Sequence, residues 1–166
     1  AGDPASFALL ERLLESQHWW LSFWRLANEE INYRRSFAIS ELVSVRVEDS
    51  PVLFCGDLMW NGMFPNFVDA LPSRLMRSVR ALRASGATTF VPGHGTVATV
   101  PEMDRYLALL DSVEAASRRA VERGITAEVA GAEYKVPAEL GEWMLFNPRY
   151  FERAIGAWMK ELQPGG

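Results

Sequence analysis

The sequence predicts a mixed α/β domain, and three observations carry the prediction. Two short runs of strand-forming residues sit close together near the middle of the chain. A third run follows an amphipathic helical segment, and nearly everything after residue 98 has helical spacing. That order describes a small β-sheet flanked by helices with a helical C-terminal tail. At 166 residues the chain fits a single domain with a core of its own. Within it, residues 1–40 form a Trp-rich helical segment, 41–97 an α/β core and 98–166 a helical region.

Residues 4–35 begin with Asp3-Pro4, an N-cap candidate followed by a proline suited to a first turn. Phe7, Leu10, Leu13 and Leu14 then share one helical stripe, while Trp19, Trp20, Phe23 and Trp24 spread bulky rings over more than one face. A helix apolar nearly all round calls for a cover. Val43, Val45 and Val47 alternate with Ser44 and Arg46, the period-two pattern of a half-buried strand. After the turn Glu48-Asp49-Ser50-Pro51, the apolar run over residues 52–55 reads as a buried strand, and the two strands make a hairpin.

An irregular stretch with Gly62 and Pro65 leads to a helix over residues 72–84, with Leu75, Val79 and Leu82 on one side and Gly86 placed to end it. Arg74, Arg77, Arg80 and Arg83 recur on that helix every third position, which reads as its solvated face. A short strand over residues 88–91 ends at Pro92-Gly93-His94-Gly95. A long helix over residues 101–124 then turns Met103, Tyr106, Leu107, Leu110 and Val113 inward. A shorter helix over 126–131, a turn at 137–140, a last helix over 148–162 and a frayed tail complete the pattern.

Composition narrows the function classes. With 49% hydrophobic and 23% charged residues, the chain has the make-up of a soluble globular protein. Its net charge of −4 argues against nucleic acid or an anionic membrane as the main partner. No apolar run reaches the roughly 18 residues of a membrane span, and no signal peptide is recognisable. The single cysteine, Cys55, excludes an internal disulfide framework and leaves the compartment open, with the cytoplasm favoured. Because the chain begins with Ala1, a processed or excised N-terminus is expected.

Two short elements carry the chemistry. Gly56-Asp57 follows a buried run, and a carboxylate at the carboxyl end of a core strand stands where α/β folds place their sites. The competing reading is that Asp57 caps the next turn. In the second element, glycines flank His94 and leave its ring open, as a metal ligand or an acid/base group requires. An ordinary turn histidine fits the same residues.

Taken together, these elements resemble the metallo-β-lactamase family of metallohydrolases, with residues 52–58 similar to its strand bearing the metal-bridging aspartate and residues 90–95 to its late strand and final histidine. Asn61-Gly62-Met63-Phe64-Pro65-Asn66 and the helix over 72–84 are also similar to hydrolases of that family, and the helical tail fits more loosely. The resemblance implies half of an αββα sandwich. It further implies that Asp57 bridges two metal ions and that His94 ligates the second, with zinc as a suitable cofactor and iron or manganese as alternatives under a changed ligand balance. The parent activity would be hydrolysis of an ester, thioester, amide or phosphoester in a small-molecule substrate, by hydroxide generated at the metal.

The family's N-terminal His-x-His-x-Asp-His ligand set has no counterpart among the two histidines, His18 and His94. His18 reads as a structural or surface residue of the first helix. Residues 36–41, where a further histidine would fall, contain none. Glu41 and Asp69 are carboxylates that could be recruited. Three expectations follow: a truncated hydrolase lacking its N-terminal half, a non-catalytic binding module on the same scaffold, or a homodimer pooling two Asp57–His94 pairs around a metal.

Overall fold

The structure is a computed structural model and describes residues 44–46, 50–67 and 71–163. Apart from Ser50, these belong to one compact unit, comprising Leu42–Val47 and Pro51–Gly166. Four strands form its sheet in the order β1-β2-β3-β4: β1 (Val45–Arg46), β2 (Val52–Trp60), β3 (Thr89–His94) and β4 (Ala98–Thr99). Four helices accompany it: α1 (Pro72–Ala84), α2 (Val100–Arg123), α3 (Ala127–Glu133) and α4 (Tyr150–Leu162), with a 3₁₀ turn at Ala138–Leu140. The protein is thus mixed α/β, as the sequence patterns predict.

The central pair, β2 and β3, runs parallel and is joined across α1, while β1 and β4 add to its two sides antiparallel. Parallel strands need such a crossover, and they are covered on both faces. Accordingly Phe90, Val91 and Pro92 of β3 are consecutive buried residues. On β2, Leu53 and Cys55 are buried whereas Val52 and Phe54 are half-buried, the alternation of a strand with one deeper face.

Met76, Val79 and Leu82 of α1 are buried together with Met103, Tyr106, Leu109, Leu110 and Val113 of α2 and Ala154, Ile155 and Trp158 of α4. The arginines of α1 face outward, and two of them tie it to α2. Arg80 Nη2 lies 2.6 Å from Asp111 Oδ1, and Arg83 Nε lies 2.6 Å from Asp104 Oδ1. Glu102 accepts hydrogen bonds from both the amide and the hydroxyl of Thr99, fastening the start of α2.

Four expectations need correction. The strand predicted over residues 52–55 continues to Trp60, so Asp57 lies within β2 and not beyond it. The strand predicted over 88–91 likewise extends through His94. β4 went unread because Ala98–Thr99 is too short to show a period. Leu109, between the predicted inward residues of the long helix, is itself fully buried, because α4 packs against α2 beside α1. The Trp-rich segment over 1–40, the ends of the first strand at Val43 and Val47, and the final residues of the tail lie outside the described residues.

Candidate metal centre at the strand ends

Pro92 explains why the carboxyl end of the sheet is irregular. Proline has no N–H to give to a ladder, so within a sheet it belongs at an edge or a bulge, yet Pro92 sits on a central strand. The regular register of Val52, Leu53 and Phe54 against Thr89, Phe90 and Val91 breaks where Pro92 faces Gly56. Beyond that point β2 runs from Gly56 to Trp60 while β3 runs only from Pro92 to His94. The surplus backbone of β2 forms a bulge, and Asp57 is in it. Bulges turn side chains out of their strand's alternation, and Asp57 is exposed between buried neighbours Cys55 and Leu58.

The bulge delivers Asp57 to His94. Their Oδ1 and Nε2 atoms lie 3.3 Å apart, with 55% of the carboxylate side chain and 43% of the imidazole side chain accessible. Gly93 makes the approach possible, since a Cβ there would overlap Asp57 Oδ1 and would stand 2.8 Å from the carbonyl carbon of Gly56. Gly95 does the same for the next loop. Its φ of 93° is a left-handed conformation, and a Cβ would run into the backbone carbonyl of Asn61.

Two further groups hold the histidine, and a third fixes the loop that follows it. The Trp60 ring packs on the imidazole with centroids 3.9 Å apart and planes inclined by 37°. The Asn61 amide donates to the His94 carbonyl at 2.9 Å. The Asn61 side-chain amide also donates to the carbonyl and hydroxyl oxygens of Thr96, at 3.1 and 3.3 Å. His94 is therefore fixed at ring and backbone while its edge stays open to solvent. Trp60 was not singled out from sequence, and Asn61 entered only as the first residue of the 61–66 stretch, with no role of its own. Their contacts with His94 cannot be read without knowing that the strand continues.

Beneath the pair lie two buried titratable groups. Burial pushes the Cys55 thiol up to about 12, and its Sγ donates weakly to the Leu53 carbonyl at 3.6 Å. The Tyr106 hydroxyl is fully buried without a hydrogen-bond partner among the described residues. Burial foremost, then the charges of Asp57 and Cys55, raise its pKa well above the ordinary phenol value. Both groups stay protonated at neutral pH, so Asp57 and His94 are the open donors here.

Met144 N donates to the Gly62 carbonyl and Phe64 N donates to the Met144 carbonyl, which ties the 144–146 segment to residues 62–64. Met144 and Phe146 on that segment are 54% and 58% exposed. Asp57 and His94 are thus brought together, whereas His18, Glu41 and Asp69 lie outside the described residues. Among the described residues no cluster of three or more His, Cys, Asp or Glu side chains is poised around one metal position. Nor is any helix among them long and apolar enough to cross a membrane. No family model matches the chain, and no curated protein matches it.

Proposed function

We propose that this chain carries the C-terminal half of a metallo-β-lactamase-like metallohydrolase site, with Asp57 and His94 as two of its metal ligands. The observation that carries the reading is the 3.3 Å separation of Asp57 Oδ1 and His94 Nε2. Two ligands each about 2.0–2.1 Å from a tetrahedral zinc stand roughly 3.3 Å from one another, the edge of the tetrahedron. Asp57 in the carboxyl-terminal half of β2 and His94 at the last position of β3, two parallel strands joined by a helix, also agree with where α/β folds hold ligands.

These residues fit two positions of a zinc site. Catalytic zinc ordinarily has three protein ligands, so at least one donor must come from outside the described residues. A complementary N-terminal half is the favoured source. Zinc so held lowers the pKa of water towards neutrality, the chemistry that hydrolysis of an ester, thioester, amide or phosphoester requires.

The chain's own residues bind and orient. The Asp57 carboxylate presents oxygens beside the imidazole, Trp60 restrains the tilt of the ring, and Asn61 anchors its backbone. A second reading draws on the same contact. A carboxylate and an imidazole 3.3 Å apart can satisfy one another once the ring is protonated, which suits a binding module that does no chemistry.

Zinc titrated into metal-free protein, in competition with a chromophoric chelator, separates the two readings. The metal reading expects one weakly held zinc per chain, with affinity reduced at least about tenfold by His94→Ala and by Asp57→Asn. Affinity unchanged in both variants would refute it in favour of the binding module. A chain that binds zinc but gives no hydrolysis when an N-terminal ligand half is supplied in trans would keep the metal site and lose the hydrolase.

A further inference from the structure

A separate groove lies between the C-terminal half of α2 and the chain that follows α3, with a volume of about 400 Å³. That size is within the range of small-molecule sites. Its walls are made of two unlike materials. Ala115, Ala116 and Ile125 form an apolar side, whereas Arg119, Arg123 and Lys135 bring positive charge to a protein whose net charge is −4.

Not all of that charge is committed. Arg123 is engaged by Glu133, with nitrogen–oxygen distances of 2.7 and 3.3 Å. Its place in the last turn of α2 is also one that the helix dipole favours for a cation. Arg119 and Lys135 have no carboxylate partner among the described residues, and they approach from different segments. The frame between them is stiff. Ser112 Oγ donates to the Leu109 carbonyl at 2.7 Å, so its single proton is used. The Tyr134 hydroxyl must then donate to Ser112 Oγ, 2.6 Å away, fixing the 134–137 chain to α2.

From this arrangement we infer that the groove is a binding site for a small amphipathic carboxylate. The anionic head meets Arg119 and Lys135, and a short aliphatic tail lies along Ala115, Ala116 and Ile125. The inference does not depend on the metal reading, because none of these residues takes part in the Asp57–His94 centre.

Octanoate is the probe, with octanol as the tail without the charge and acetate as the charge without the tail. Proton–nitrogen correlation spectra recorded during each titration give both affinity and location. Octanoate should saturate and shift amides within residues 112–137, and it should bind more tightly than either control. Arg119→Gln and Lys135→Gln are surface substitutions, so thermal unfolding should match the parent. Each should weaken octanoate roughly tenfold and leave octanol unchanged, as expected for losing a charge-assisted hydrogen bond. Octanoate affinity unmoved by both variants, octanol binding as tightly as octanoate, or no saturation at millimolar octanoate would each overturn the site.

Discussion

The helical layer and the strand ends of this protein are built on opposite terms. In the helical layer, side chains of large volume fill space: Leu109 and Leu110 of α2 and Ile155 of α4 are fully buried. At the strand ends the decisive residues are those that withhold atoms. Pro92 withholds an N–H and so permits a bulge, and Gly93 and Gly95 withhold a Cβ and so let two backbones and a carboxylate close up. The first region spreads its stability over many replaceable contacts. The second concentrates its geometry in single atoms, and its Asp57 and His94 side chains stay accessible to solvent.

That contrast breaks most severely from the helical side. Trp158 of α4 is 4% exposed within the core. Trp158→Ala should cost about 3–5 kcal/mol of unfolding free energy, measured by denaturant titration. A cost within surface range would mean that α4 is peripheral and the division drawn above is wrong. At the strand ends, Gly95→Ala should cost about 1–3 kcal/mol through its left-handed backbone. It should also disturb the amide signals of Asn61, because the added Cβ meets that residue's carbonyl. Asp57→Asn supplies the opposite test. It alters an exposed pair, so its stability cost should stay within about 1 kcal/mol while zinc affinity falls.

How much of this was legible follows the same division. Helix α1 could be read to its boundaries, because the proline at its start, the spacing of Val79 and Leu82 and Gly86 after its end are local signals. Asp57 and His94 could be singled out because each adjoins glycine after an apolar run. What sequence could not supply was the register. Strand β2 continues past Cys55 because β3 pairs beside it as far as His94, and no local pattern encodes a partner 34 residues away at Trp60. The contacts of Trp60 with the His94 ring and of Asn61 with its backbone stayed hidden for that reason. The proline that breaks the ladder was visible, but in isolation it reads as a turn.

Cys55 reports on the boundary between the two regions. It is fully buried on β2, two residues before Asp57, and its thiol is pushed up to about 12. Iodoacetamide at mildly alkaline pH should leave it unlabelled in the native protein and modify it promptly in denaturant. If Gly95→Ala speeds native-state labelling while the helical layer keeps its circular dichroism, the strand ends open as a unit of their own. Labelling that keeps pace with global unfolding would join the two regions into one cooperative block.

Acid should touch the helical layer by the smallest increments. Glu102, Asp104, Glu133 and Glu152 all titrate below their ordinary values. Glu102 is lowered first by the Thr99 hydroxyl and then by its amide, and the other three by hydrogen bonds from Arg83, Arg123 and Arg149. A carboxylate whose folded pKa lies below its unfolded one contributes stability above the unfolded value, 4.5 for these glutamates and 3.8 for Asp104. That contribution is lost as pH falls through the folded value. The denaturation midpoint should therefore be insensitive to these four groups near neutrality and decline only below the ordinary carboxylate range. All four are on the surface, so each step should be shallow and further reduced by added salt. Glu102→Gln should remove part of the acid decline without altering its direction. A decline that persists unchanged in that variant would move its origin from the start of α2 to the other three pairs.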